Sequence, residues 1–84
     1  MPTISYFYGI VIMMNQLDKE HNPPHIHAFY QDFNATIKIV DGSILEGKLP
    51  RKAYGLVKEF VKANKAELLL MWETGKFKKL KGIE

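Results

Sequence analysis

The chain opens on two short apolar runs, Ile4 to Tyr8 and Ile10 to Met14, separated by Gly9. Both are rich in β-branched and aromatic residues, the composition of strands, and the glycine marks a bulge or bend between them. Ile10 to Met14 is apolar throughout, so both of its faces are expected to be covered, as in a central strand. Residues 15–24 turn polar and end in Pro23-Pro24, which predicts a loop. Two further strands follow, His25 to Tyr30 and Ala35 to Val40. A turn at Asp41-Gly42-Ser43 then leads to a short edge strand, Ile44-Leu45-Glu46, before Pro50.

The middle two strands predict a hairpin. With Asp32-Phe33 as the turn, Gln31 faces Asn34 and the pairs run Phe29–Thr36, His27–Lys38 and His25–Val40. Alternation along each strand then sorts the side chains. Ile26, Ala28, Tyr30, Ala35, Ile37 and Ile39 form an apolar side, whereas His25, His27, Phe29, Thr36 and Lys38 form the opposite, more polar side.

Beyond Pro50 the period changes to that of helices. Proline suits a helix start because its φ is already correct and its missing N–H has no partner there. Ala53, Leu56, Val57, Phe60 and Val61 recur at helical spacing, with Arg51, Lys52, Lys58, Glu59 and Lys62 on the other face. Asn64 is expected to end this helix and cap a second, with Glu67 placed as in a capping box. The second helix buries Leu68, Leu69 and Trp72 and stops near Gly75. Gly55 costs its helix about 1 kcal/mol relative to alanine, so either close packing or local weakness is expected there. The predicted fold is α+β, a small antiparallel sheet of four to five strands followed by two C-terminal helices on one face. Trp72 and Phe60 should pack on Ile26, Ile37 and Ile39.

Length and composition narrow the picture further. The 84 residues, 46% hydrophobic and 25% charged, suit one folded domain spanning residues 1–84. No cysteine is present, which removes disulfides, thiolate metal sites and cysteine nucleophiles. The apolar stretch from Ile4 to Met14 has no basic residue before it and no small-residue cleavage site after it. It is also shorter than the ~20 residues needed to cross a bilayer. A cytoplasmic location without a membrane partner is therefore expected.

Charge is unevenly spread. Residues 1–40 carry Lys19 and Lys38 against Asp18, Glu20 and Asp32, whereas residues 41–84 carry ten basic residues against six acidic ones. The densest basic run is Lys76-Phe77-Lys78-Lys79-Leu80-Lys81. Such an end can meet nucleic acid, RNA or DNA, or an acidic partner, although a solvated lysine-rich tail is the commoner reason for one.

One constellation carries candidate chemistry. All three histidines fall within His21-Asn22-Pro23-Pro24-His25-Ile26-His27. His25 and His27 alternate on one strand face, and the stiff diproline restricts where His21 lies. Three imidazoles with an open position suit a divalent metal such as zinc, and two with a carboxylate suit non-haem iron, for which Glu20 and Asp18 are the nearest acids. Without metal, the same histidines are candidates for general acid/base catalysis. Lys38 opposite His27 would hold that imidazole neutral. Glu46, Lys48 and Arg51, near the sheet edge, are candidates to line the site and bind substrate. Structural histidines remain the bland alternative, since such a pair on a half-exposed strand is often only hydrogen-bonded. Tyr6, Phe7, Tyr8, Phe29 and Tyr30 have rings that could stack on bases, but aromatics in short strands are more often core.

Taken together, Met1-Pro2-Thr3-Ile4-Ser5, Gly9-Ile10-Val11-Ile12 and above all His21-Asn22-Pro23-Pro24-His25-Ile26-His27-Ala28 resemble the opening of the family known as domain of unknown function 4160. Leu45 to Arg51 and the closing segment with Trp72 are similar to its second half. Glu20 stands where that family commonly has aspartate, and Phe60 where it commonly has tryptophan. The resemblance implies a neighbouring partner from another uncharacterised family, numbered 2442, in an arrangement like a two-gene toxin–antitoxin module. Two functions follow. One is a toxin-like component acting on RNA or translation through His25, His27 and His21, with a cognate antitoxin-like protein as partner. The other is a non-catalytic protein-interaction module with structural histidines.

Overall fold

The computed structural model describes residues 2–15 and 23–83. Among the described residues five strands precede one helix: β1 (Thr3–Phe7), β2 (Ile10–Met13), β3 (His25–Tyr30), β4 (Phe33–Lys38), β5 (Ile44–Lys48) and α1 (Arg51–Thr74). The strands lie side by side in chain order and every neighbouring pair is antiparallel. The α+β class and the antiparallel sheet agree with the pattern of the sequence. The two-helix expectation does not.

Tyr8 and Gly9 close the first hairpin, with Phe7 paired to Ile10. Both turn residues have positive φ, 48° and 78°, as a tight two-residue hairpin turn requires. The glycine is therefore a turn residue rather than a bulge in one strand. In the second hairpin the turn is Gln31-Asp32, not Asp32-Phe33, because Phe33 pairs with Tyr30. Placing Phe33 in the ladder gains a cross-strand aromatic pair, and Gln31 takes the left-handed conformation at φ 53°. His27 consequently faces Thr36, and His25 faces Lys38 instead of Val40. Each pairing moves by two residues, so the division into faces survives.

β4 stops at Lys38, where the chain turns. Gly42 N–H donates to the Lys38 carbonyl and Lys38 N–H to that of Ser43, each at 2.8 Å. Asp41 Oδ1 accepts from the Ser43 hydroxyl at 2.7 Å and from its N–H at 2.9 Å. These bonds, the hydroxyl first, hold the Asp41 carboxyl below its ordinary value of 3.8, and Lys38 adds to the effect. A carboxyl depressed on folding stabilises the native state above its unfolded pKa and loses that contribution as pH falls through the folded one. The melting temperature of Asp41→Asn should therefore lie below that of the parent at neutral pH and converge with it in acid. A constant offset at all pH values would contradict this.

α1 continues past Asn64 as one helix, but it is kinked at that residue, where two helical segments join, so the expected break survives only as a kink. No proline or glycine lies near enough to stop it, and the distortion is confined to Asn64 itself (φ −119°, ψ 19°). Its side-chain amide donates to the Phe60 carbonyl at 3.0 Å instead of capping a second helix. Glu67 pairs with Lys78 at 2.9 Å rather than completing a capping box. The end is as expected: Gly75 adopts φ 71° and donates its N–H to Met71 at 2.9 Å.

One face of the sheet, with Ile10, Ile12, Ile26, Ala28, Ala35 and Ile37, belongs to the same buried cluster as Val57, Phe60, Val61, Leu68, Met71 and Trp72 of α1. Phe60 stacks on Phe7 with ring centroids 5.0 Å apart. The basic C-terminal segment is part of the fold rather than a solvated tail. Leu80 N–H donates to the Ile4 carbonyl at 2.7 Å, the Ser5 hydroxyl donates to the Leu80 carbonyl at 2.8 Å, and Phe77, Leu80 and Ile83 pack on the core. These bonds cover the β1 edge, which would otherwise invite pairing with another chain. The opposite edge, β5, is exposed along its whole length.

Candidate functional site

The sheet face turned away from α1 gathers most of the residues singled out in the sequence. Its register is read from the strand pairs. One row crosses the sheet as Thr3–Met13–His27–Thr36–Glu46, and the next as Tyr6–Val11–Phe29–Asn34–Lys48. His25 and Lys38 begin a third row. Directly paired residues share a face, so His25, His27, Lys38, Glu46 and Lys48 lie together, as period two requires. Arg51 does not join them, because it opens α1 in the layer on the other side of the sheet. His21, together with Asp18 and Glu20, lies outside the described residues.

The two histidines touch edge to face with ring centroids 5.1 Å apart. Their surroundings differ. His27 is half-buried, whereas His25 is only 3% exposed and lies 4.9 Å from the Trp72 ring. Its Nδ1 is 2.8 Å from the Pro23 carbonyl oxygen, an acceptor, so that nitrogen carries the proton. The expectation that the histidines stand clear of the core therefore fails for His25. β3 begins with two consecutive buried residues, His25 and Ile26, so both sides of the strand are covered at that end. An imidazole fixed by a carbonyl and an indole has a structural role, and His27 is the more accessible of the pair.

Lys38 sits across from His25, not His27, so the cation expected to keep His27 neutral belongs to its neighbour. Among the described residues, no three His, Cys, Asp or Glu side chains group as a metal site would need. The chemistry still present on this face is a half-buried imidazole, a threonine hydroxyl, two ammonium groups and a carboxylate, arranged beside an apolar strip.

The sequence favours core for the aromatics of this strip, and there the structure differs for two of them. Tyr6 is 63% exposed, and Val11, Met13 and Phe29 beside it are half-buried. Of the aromatics, Phe7 is core and Tyr6 and Phe29 belong to the open face. The signal was available in the alternation of β1 and β2, but only once their register is known. Among the described residues, clefts also lie elsewhere. One of about 660 Å³ opens between Tyr8, Tyr30, Lys52, Leu56 and Glu59, and one of about 260 Å³ lies between the 39–42 turn and α1. No histidine lines either of them. Among the described residues no helix is long and apolar enough to cross a membrane.

No curated protein and no solved structure matches the chain. The model of one family, described as domain of unknown function (DUF4160), matches residues 9–73, from the first hairpin turn almost to the end of α1. The segment it spans carries His21, His25 and His27, β2 to β5 and nearly all of α1, and with that coverage the chain belongs to the DUF4160 family.

Proposed function

We propose that the chain is a non-catalytic interaction module that takes a protein partner on its open sheet face. The observation that carries this reading is the strip Tyr6–Val11–Phe29 with Met13, exposed or half-buried on the face away from α1 and bordered by Lys38, Glu46 and Lys48. An aromatic and aliphatic centre with a charged rim is the anatomy of a protein-binding patch. The partner in this reading is the antitoxin-like protein of family 2442. Gel filtration of the two purified proteins should show a complex, and Phe29→Glu should weaken binding about tenfold or more while leaving the melt cooperative. Equal affinity of the variant and parent would remove the sheet face from the reading.

A second reading keeps the histidines active, as a toxin-like component acting on RNA or translation. It is favoured by the shared face of His25, His27, Lys38 and Lys48, where an imidazole can move a proton beside cations that hold phosphate. Expression of the chain alone in bacteria separates the two. The first reading expects growth to be unaffected. The second expects arrest that His27→Ala relieves. His27 is the proper position to change, because altering His25 would also disturb Trp72.

A further inference from the structure

Beyond the sheet face, α1 carries a second surface. We infer that its outer stripe, Arg51–Gly55–Lys58–Lys62–Lys65, binds the phosphodiester backbone of a nucleic acid. These positions recur at helical spacing on one side of α1, and all are exposed. At ~1.5 Å per residue the stripe runs about 21 Å, long enough to follow several phosphates. Lys58, Lys62 and Lys65 share the rim of the cleft of about 260 Å³ with the 39–42 turn. Asp41 is the acid on that rim, and its carboxylate is already occupied by Ser43; Glu59, exposed beside the stripe on α1, is a second acid next to the four cations.

Two features of the stripe make no sense for the folded chain alone. Arg51, with Lys52 next to it off the stripe, occupies the first turn of α1, which holds no acidic residue, although the helix dipole disfavours cations there. Gly55 sits mid-helix, and a Cβ built on it would meet nothing within 4 Å, so no neighbour requires the glycine. It leaves bare backbone in the middle of the cationic line, where a sugar-phosphate chain can approach closely. Locally unfavourable choices collected on one surface are the mark of a binding function. The stripe itself has no apolar side chain, which separates it from a protein-binding patch and favours a polyanion.

The test is fluorescence anisotropy with a short labelled single-stranded RNA and a matching duplex, across roughly 50 to 200 mM salt. The parent chain should bind and lose affinity on the order of 100-fold over that range, as expected for about four phosphate contacts on a duplex. Lys58→Gln/Lys62→Gln should reduce the slope of log affinity against log salt by about 1.8. Gly55→Leu should raise the melting temperature yet lower affinity at least tenfold, an outcome that a purely structural glycine would not produce. Lys76→Gln/Lys79→Gln should leave binding unchanged. The proposal is overturned if the parent does not bind at the lowest salt, if the Lys58/Lys62 variant keeps the parental slope, or if poly-glutamate binds as tightly as RNA. The last result would assign the stripe to an acidic protein.

Discussion

Trp72→Ala should lower stability by about 3–5 kcal/mol, enough to leave a small domain barely folded. The indole is 4% exposed, belongs to the main apolar cluster and touches the His25 ring. Its removal opens a cavity and also uncovers an imidazole whose polar edge is now satisfied by Pro23. Chemical denaturation of parent, Trp72→Ala and Trp72→Phe measures the effect, with the phenylalanine variant falling between the other two. A midpoint barely moved by alanine would refute the packing of α1 on β3. Spectroscopically, the His25 ring protons should lose their aromatic shift in the phenylalanine variant only in part.

Gly47→Ala should be nearly as damaging, although it adds a single methyl group. Gly47 has φ 81°, a conformation that costs other residues about 1–2 kcal/mol. The added Cβ would also press into the Asn34 carbonyl oxygen and stand 3.0 Å from Ala35 Cα, backbone atoms that cannot swing aside. Overpacking of this kind adds about 1–3 kcal/mol, or else detaches β5 from β4. Gly55→Ala is the matched control, because the same change there meets open space in a helix and should stabilise by about 1 kcal/mol. Thermal melts of the two variants should shift in opposite directions. Parallel shifts would mean that β5 is not held as described. Amide exchange would localise the damage, since detachment of β5 should expose Ala35 and Ile37 while leaving the β2–β3 pairs protected.

The same glycine bears on function. β5 carries Glu46 and Lys48 to the rim of the open face, and that placement depends on Gly47 lying close over β4. Loss of β5 would therefore strip the charged border from the Tyr6–Val11–Phe29 strip without touching the strip itself. Partner binding by Gly47→Ala, compared with Phe29→Glu, separates the contribution of the rim from that of the centre.

Much of this arrangement is written locally in the chain. Alternation in His25 to Tyr30 and Ala35 to Lys38 determines which side chains share a face, and it does so whichever two-residue register is adopted. Helical spacing from Ala53 to Val61 likewise determines which face of α1 is buried, and Gly75 determines where α1 stops, because only backbone conformation is involved. The grouping of His25, His27 and Lys38 on one sheet face follows from the same period, whereas placing Glu46 and Lys48 there takes the β4–β5 register, which shifts between Thr36 and Ile37. Other features depend on partners distant in sequence. The turn falls on Gln31-Asp32 because Phe33 gains Tyr30 across the ladder, and α1 continues through Asn64 because its packing on both sides of that residue outweighs one distorted position. His25 is buried by Trp72, and the β1 edge is closed by Leu80 from the far end of the chain. Periodicity reports which way a side chain points, but burial depends on what arrives to cover it, and only the tertiary structure brings Trp72 to His25 and Leu80 to Ile4.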